Sequence, residues 1–521
     1  MFASSCIINE VPRARLQTLP QCAPPGPKSH RHQMQVSEGM PPAGPYYPGM
    51  SKDGLDPSLA APLAAGATRV AGGAPHTALR RQLRLEILQL AWPAILEYSL
   101  HTLVWLCDVA FIGRLGADAL SATGIAGQTY FFVLFLFGSV GTAATAMVSR
   151  RVGAGHQQEA ARIGGQLSAI GLMLGFVVMG LVWRLSPAIF AATGLGPGVA
   201  GPGIAYQRIL ALGAPMFLLR GVLAGVMHGF GDTRSPMIVA GLAGLFNVVG
   251  DWALINGRLG LPALGVAGAA IASSLAHVLG AGLILAALAL RLTPARIDLR
   301  RAFSFERPVL GTATRLALPA SGEHLLTDMA RTVGVFIIAQ LGSVALAGHE
   351  VTAAAESLSF MPGWGFAVAS SIVVGQNLGR GEPERARAAV GEALRIAVGF
   401  GLGMAGLFVL APGPIVRVFT PDPAVSLIAA RLLRIAGIAQ PFVALGGVYT
   451  GALRGAGDTR SPMIAGGVSS WLVRTAITYA AIVVLGWPVD WAWWAMTADW
   501  VVRAGWVYVV FRRGSWQQVQ V

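Results

Sequence analysis

Four side chains able to do polar chemistry or ring contacts occupy one otherwise apolar stretch at helical spacing: Glu97, His101, Trp105 and Asp108, separated by four, four and three residues. On a helix they share a face. Asn247 and Asp251, four apart, do the same in a second apolar stretch, and Glu323, Thr327 and Arg331 repeat the spacing in a third, with Asp328 beside them. Carboxylates, an amide and an imidazole in such surroundings bind protons or small cations. They do not form a nucleophile with its base, and the chain has no phosphate-binding glycine loop, so neither covalent catalysis nor direct ATP use is indicated. Desolvation strengthens a buried carboxylate's hold on a proton, whereas an oxygen-rich preorganised group favours Na⁺. Asp108, Asn247 and Asp251 are therefore candidate ligands for a proton or for sodium, and His101 on the acidic face leans toward protons.

Each candidate also has a plainer reading. Glu97 and Glu323 stand near one end of their stretches, where a carboxylate either serves a substrate or ion or simply snorkels and caps a neighbour. Asp328 and Arg331, three apart, are expected to pair with one another. His101 is either a proton carrier or a satisfied interior histidine. Asp108 and Asp251 are deeper and have no basic partner at helical spacing, which makes them the stronger pair.

Composition identifies what must position these groups. Hydrophobic residues make up 54% of the chain, charged residues only 12%, and glycine is abundant at 67. A soluble domain carries about twice that charged fraction, so this is a membrane protein. From residue 85 onward the apolar runs reach the roughly 20 residues needed to cross a bilayer. They fall near 87–113, 119–148, 163–184, 204–228, 235–256 and 262–290, then 311–339, 345–374, 388–410, 426–452, 462–486 and 490–511. The expected fold is all-α and polytopic, with twelve transmembrane helices. Residues 1–84 are Pro-, Gly- and Ala-rich and read as a disordered extension, or as a start placed upstream of Met40 or Met50. Cys6, Cys22 and Cys107 have no metal-ligand spacing, and Cys107 reads as a small packing residue.

The eight residues GDTRSPMI occur twice, at 231–238 and 457–464, an offset of 226. The same offset relates Pro93 to Pro319, Glu97 to Glu323, Gly153 to Gly379 and Pro215 to Pro441. An internal duplication follows: a first six-helix lobe over 85–295, a linker over 296–310, a second lobe over 311–511 and a tail over 512–521. An even number of spans per unit makes the lobes parallel, facing each other across a central cavity. Arginines gather in the connections after even-numbered spans, including Arg150, Arg151, Arg234, Arg380 and Arg460, and before the first span at Arg80, Arg81 and Arg84. Both termini are therefore expected in the cytosol, and the net charge of +14 reflects topology rather than affinity for nucleic acid. GDTRSPM is then a tight cytosolic turn, with Gly231 and Gly457 making the bend and Asp232 and Asp458 able to cap the next helix.

Taken together, LAWPAILEYSLHTLVWLCDVAFIGRLGADAL, the VGAGHQQEA and VGQNLGRGEPERA connections, both GDTRSPM turns and FNVVGDWALINGRLGLPALGVAGAAIAS resemble the multidrug and toxic compound extrusion (MATE) family over roughly 85–511. The resemblance implies secondary active export of cationic amphiphilic compounds in exchange for protons or sodium ions, in the cell membrane, a bacterial inner membrane. It implies a monomer surrounded by lipid, with an organic cation as substrate and no cofactor. It assigns ion coupling to Asp108, Asn247 and Asp251, with Glu323 matching a seventh-span acid of some members. The second copy has Gly334, Val473 and Ile477 at the duplicate positions, so its counterpart pocket is expected to be apolar. A flippase of a lipid-linked precursor, and more remotely a channel, are the alternatives.

Overall fold

The computed structural model describes residues 76–521; up to residue 75 the reading of 1–84 as an extension lies outside the described residues, and residues 76–84 are not part of a disordered extension but the first turns of α1, with Leu83 buried. Among the described residues all regular structure is helical. The first half contains α1 (His76–Gly113), α2 (Ala117–Gly138), α3 (Val140–Gly153), α4 (Gln157–Ala192), α5 (Pro197–Gly229), α6 (Arg234–Asn256) and α7 (Val266–Ala289). The second contains α8 (Arg307–Ala339), α9 (Ser343–Gly379), α10 (Pro383–Leu410), the short α11 (Pro412–Arg417), α12 (Pro423–Ala456), α13 (Arg460–Val468), α14 (Ala476–Tyr479) and α15 (Asp490–Arg513). Two of the rods are interrupted: α2 and α3 form one span, Ala117–Gly153, and α13 and α14 belong to another, Arg460–Val484. In the latter, π-helical turns occupy Ser469–Thr475 and Ala480–Val484.

Ten of these rods are long and apolar enough to cross a membrane. The remaining long helices, α8 and α15, fall short because they carry polar groups of their own, Glu323, Asp328 and Arg331 on the first and Asp490, Asp499 and Arg503 on the second. Composition thus supports ten of the twelve expected spans. In both exceptions the interior acid is paired with an arginine from elsewhere in the chain, Glu323 with Arg454 and Asp499 with Arg474.

The duplication is visible in the packing. Glycine lets backbones approach closely where no lipid-side hydrophobic force exists to hold helices together, and the close approaches recur at the 226 offset. A Cβ on Gly175 would strike Ala214 and Pro215, and one on Gly401 would strike Gln440; Gly225 faces Gly141 as Gly451 faces Ala367. Gly153 lies against Gln376 and Gly379 against Arg150, so these two duplicate glycines meet each other across the seam between the halves. The first helix of each half lies along that seam: α1 packs on α9 and α10, and α8 packs on α2 and α3.

Both GDTRSPM turns have the expected geometry. Gly231 and Gly457 adopt φ of 86° and 95°, a region open chiefly to glycine. Asp232 Oδ1 accepts from Arg234 N at 3.1 Å and Ser235 N at 3.0 Å, while Asp458 Oδ1 accepts from Ser461 N at 2.9 Å. The end of the bundle that carries them is called the turn end below.

Candidate functional site

The turn at Gly231 starts α6 and thereby sets the facing of Asn247 and Asp251 four and more turns along it. Both point inward, 3% and 0% exposed. Asp108 comes from the last turns of α1 and Ser273 from α7, so three helices converge. With the Asn247 amide turned to satisfy both its ends, Nδ2 donates to Asp108 Oδ1 at 2.8 Å, and the amide oxygen accepts from Ser273 Oγ at 3.1 Å and Ser273 N at 3.2 Å. The Asp108 and Asp251 carboxyls stand within hydrogen-bonding reach of each other. Neither oxygen of Asp251 has any donor of its own. Two facing carboxyls can share one proton but cannot both be ionised without a cation between them. Tyr206 of α5 stands within electrostatic range of both.

Glu97 and His101 are on the same face of α1 but closer to the turn end, in a second group that the sequence reading did not assemble. Glu97 Oε2 lies 3.3 Å from His228 Nε2 of α5, both residues being buried. His101 Nε2 lies 3.2 Å from Arg220 NH2. Guanidinium only donates, so this imidazole nitrogen accepts. A cavity of about 60 Å³ is lined by Glu97, His101 and Arg220 and reaches Pro236, just inside α6. His277 of α7 stacks edge-on against Phe217 at 4.9 Å and is within electrostatic range of Arg220 and His101.

In the second half Glu323 is buried and bound by Arg454, whose NH2 donates to Oε2 at 2.8 Å and whose guanidinium lies over Trp364 at 5.6 Å. Asp328 and Arg331 pair locally at 3.2 Å, as their spacing predicts. The expectation of an apolar counterpart to the Asp108 pocket is wrong. Gly334, Val473 and Ile477 do occupy the duplicate positions, but Asp499 of α15 is fully buried between Arg474 and Arg503, the latter at 3.4 Å. Gln440 links Ser359 at 2.7 Å to Glu356 at 3.3 Å nearby. The physical reason is the π-helical turn over Ser469–Thr475. Its wider winding shifts the facing of the residues within it, so that Arg474, adjacent to the duplicate position of Asn247, reaches Asp499.

A bundle of membrane-crossing helices in two parallel halves, with paired carboxyls inside one and fixed ion pairs inside the other, defines a two-lobed membrane transporter. The MatE family model matches residues 93–253 and again 319–480, reproducing the duplication, and the chain belongs to this family of transporters. It is 28% identical over 442 residues to "Probable multidrug resistance protein NorM" of Thermotoga maritima, covering 84% of this chain and 94% of that one. It is 30% identical over 419 residues to multidrug resistance protein PmpM of Pseudomonas aeruginosa, covering 78% and 86%. A MOP superfamily transporter from Pyrococcus furiosus shares the fold with a TM-score of 0.78 at 22% identity, over 86% of this chain and all of that one.

Proposed function

We propose that the protein is a secondary active antiporter that exports cationic amphiphilic compounds in exchange for protons or sodium ions by alternating access. The observation that carries the reading is the Asp108–Asp251 pair, two carboxyls inside apolar helices with no fixed cation beside them and both Asp251 oxygens left without a donor. Such a pair is stable when a cation or a proton occupies it and repels itself when empty. Occupancy then biases the packing of α1, which lies on the seam between the halves. The Asn247 amide beside Asp108 can present its N–H to a carboxylate or its oxygen to a cation, so it serves either a proton or a sodium occupant.

Multidrug export is the activity named for the NorM and PmpM relatives and supports an organic cation as substrate. The division into lobes at 85–295 and 311–511 joined by 296–310, twelve spans including α8 and α15, cytosolic termini and a monomeric state in a bacterial inner membrane belong to the same proposal. The arginine bias supports a cytosolic turn end.

The test is reconstitution in liposomes with a proton gradient and a sodium gradient imposed separately, following a fluorescent organic cation. Accumulation of the cation against its own gradient, driven by either ion, is expected. Flux that only dissipates the substrate gradient would replace the antiporter by a channel.

A further inference from the structure

We infer that the buried Glu97–His228 pair is a second proton-binding station, which exchanges protons with Asp108 and Asp251 through His101 and His277 and with water at the turn end. The inference rests on the antiport reading and deepens it by naming the ion as the proton, because imidazoles pass protons and cannot pass Na⁺.

The duplication supplies the first argument. Adding 226 to Glu97, His228 and His277 gives Glu323, Arg454 and Arg503. The acid is the same in both halves, and it is paired in both: Glu97 with His228 at 3.3 Å, Glu323 with Arg454 at 2.8 Å. The cation differs, and differs in the same way at both positions. An arginine does not release its proton in a protein, whereas histidine is the side chain suited to taking one up and giving it back. A pair needed only for packing is served by arginine, as the second half demonstrates. The first half has a titratable group at each of the two places.

Placement is the second argument. Asp108 and Glu97 are eleven residues apart on one helix, about 16 Å along its axis, with His101 between them. On α7, Ser273 holds Asn247, and His277 is one turn further along the same face. The cavity beside Glu97, His101 and Arg220, about 60 Å³, is mostly apolar in lining but has room for water held by those three polar side chains at the turn-end side of the path. Glu97 Oε2 and His228 Nε2 face each other at 3.3 Å with no other partner, so one proton can sit between them.

The charges that face the pair are few. Its own helix supplies His101; α5 supplies Arg220 and His228; α7 supplies His277; α6 brings only Pro236, Val239 and Ala240 to the cavity. On the opposite side of α1, α9 contributes Trp364 against Tyr98 and Gly365 against Ile95. Arg454 of α12 lies near Tyr98 but is bound to Glu323. Asp232, in the turn four residues beyond His228, marks the exit.

Proton balance is simple. An O–H bond breaks at the Asp108–Asp251 pair and an N–H bond forms on His277 or His101, directly or through water. That N–H bond breaks as the proton reaches Glu97 or His228, and the last bond breaks to water at the turn end. Each group returns to its starting form, and nothing is oxidised or reduced.

The full chain in liposomes tests this, with organic-cation transport followed as a function of turn-side pH between about 5 and 8, where histidine titrates. His228→Arg copies the pair already present in the second half, and the double variant Glu97→Gln/His228→Asn removes both partners without leaving either charge alone. Proton-driven accumulation is expected to fall at least tenfold in both and to lose its pH dependence. Melting temperature and equilibrium binding of the fluorescent cation should stay at parental values. Parental transport and pH profile in both variants overturn the relay and leave the antiporter standing. A parent driven by sodium alone also overturns the relay and keeps the exchange. A parent driven by neither ion removes the antiport reading and the relay with it. Nitrogen-15 spectra of the histidine-labelled parent give a check that needs no variant: a buried imidazole must change protonation when the cation binds, and unchanged imidazoles overturn the proposal.

Discussion

Arg454→Leu is expected to destabilise the protein by about 3–5 kcal/mol, because it strands the Glu323 carboxylate in the interior. The two side chains are 8% and 10% exposed and meet at 2.8 Å. Charge centres roughly 4 Å apart attract by about 4 kcal/mol at an effective dielectric of 20. The guanidinium also loses its place over Trp364, 5.6 Å away, which adds about 0.5–2 kcal/mol. Removing both partners removes the desolvation cost along with the attraction, so Glu323→Met/Arg454→Met should lie within about 2 kcal/mol of the parent. The two single changes and the double form a cycle whose coupling energy is expected at about 2–4 kcal/mol. Denaturant unfolding in mild detergent, followed by tryptophan fluorescence, measures each corner. A cost below about 1 kcal/mol for Arg454→Leu, or additive single changes, would refute the claim that this is a tight, desolvated pair.

Asp108→Asn and Asp251→Asn keep side-chain shape while removing the shared titratable site, so each should reduce ion-driven accumulation at least about tenfold with the protein still folded, and parental transport in both would remove the pair from coupling. Glu323→Gln should have the smaller effect on coupling, since its partner carries a fixed charge. Gly153→Leu or Gly379→Leu should hold the halves apart at the turn end, where neither glycine has room for a Cβ; spin-label distances across that end would lengthen, and unchanged distances would show that the contact is slack. Trp516→Ala empties a site that is fully buried and stacked on Phe511 at 4.7 Å, with an expected loss of about 3–5 kcal/mol read from thermal unfolding. Single cysteines at positions 234 and 460 should be labelled only from the cytosol, and labelling from outside in sealed cells would invert the topology.

The inward facing of Asp108, and of Asn247 with Asp251 on one face at a spacing of four, was legible because costly residues in apolar helices must face inward; that the two helices meet came from the resemblance to the family. The turns were legible because Gly-Asp before Ser-Pro specifies a bend and a cap within eight residues. His228, His277 and Ser273 gave no local signal. None of them forms a motif with the residues around it, and its chemistry exists only through a partner on another helix. The offset that revealed the duplication held the missing information: applied to these three it yields Arg454, Arg503 and Asp499, charged residues that mark the same interior positions. The apolar expectation for the second half failed for a different reason. An offset compares residues one for one, and a π-helical turn changes which of them faces inward without changing the count.

On the proposed reading the duplicated halves have divided the work. In the second half Arg454, Arg474 and Arg503 fix the charge on Glu323 and Asp499, so those two carboxylates keep their charge whatever occupies the substrate path. The first half holds carboxyls and imidazoles whose charge depends on proton occupancy, and three of those groups, Glu97, His101 and Asp108, ride on α1. That helix contains Pro93, which removes one backbone hydrogen bond and lowers the cost of bending there. It also packs on α6 in its own half and on α9 in the other. A change of charge along α1 is therefore felt directly at the seam, whereas the corresponding helix α8 carries Glu323 with its charge held by arginine. If the first half is the moving part, replacing His228 by arginine should make α1 resemble α8 in this respect. Transport should then fail at the conformational step, with substrate binding retained.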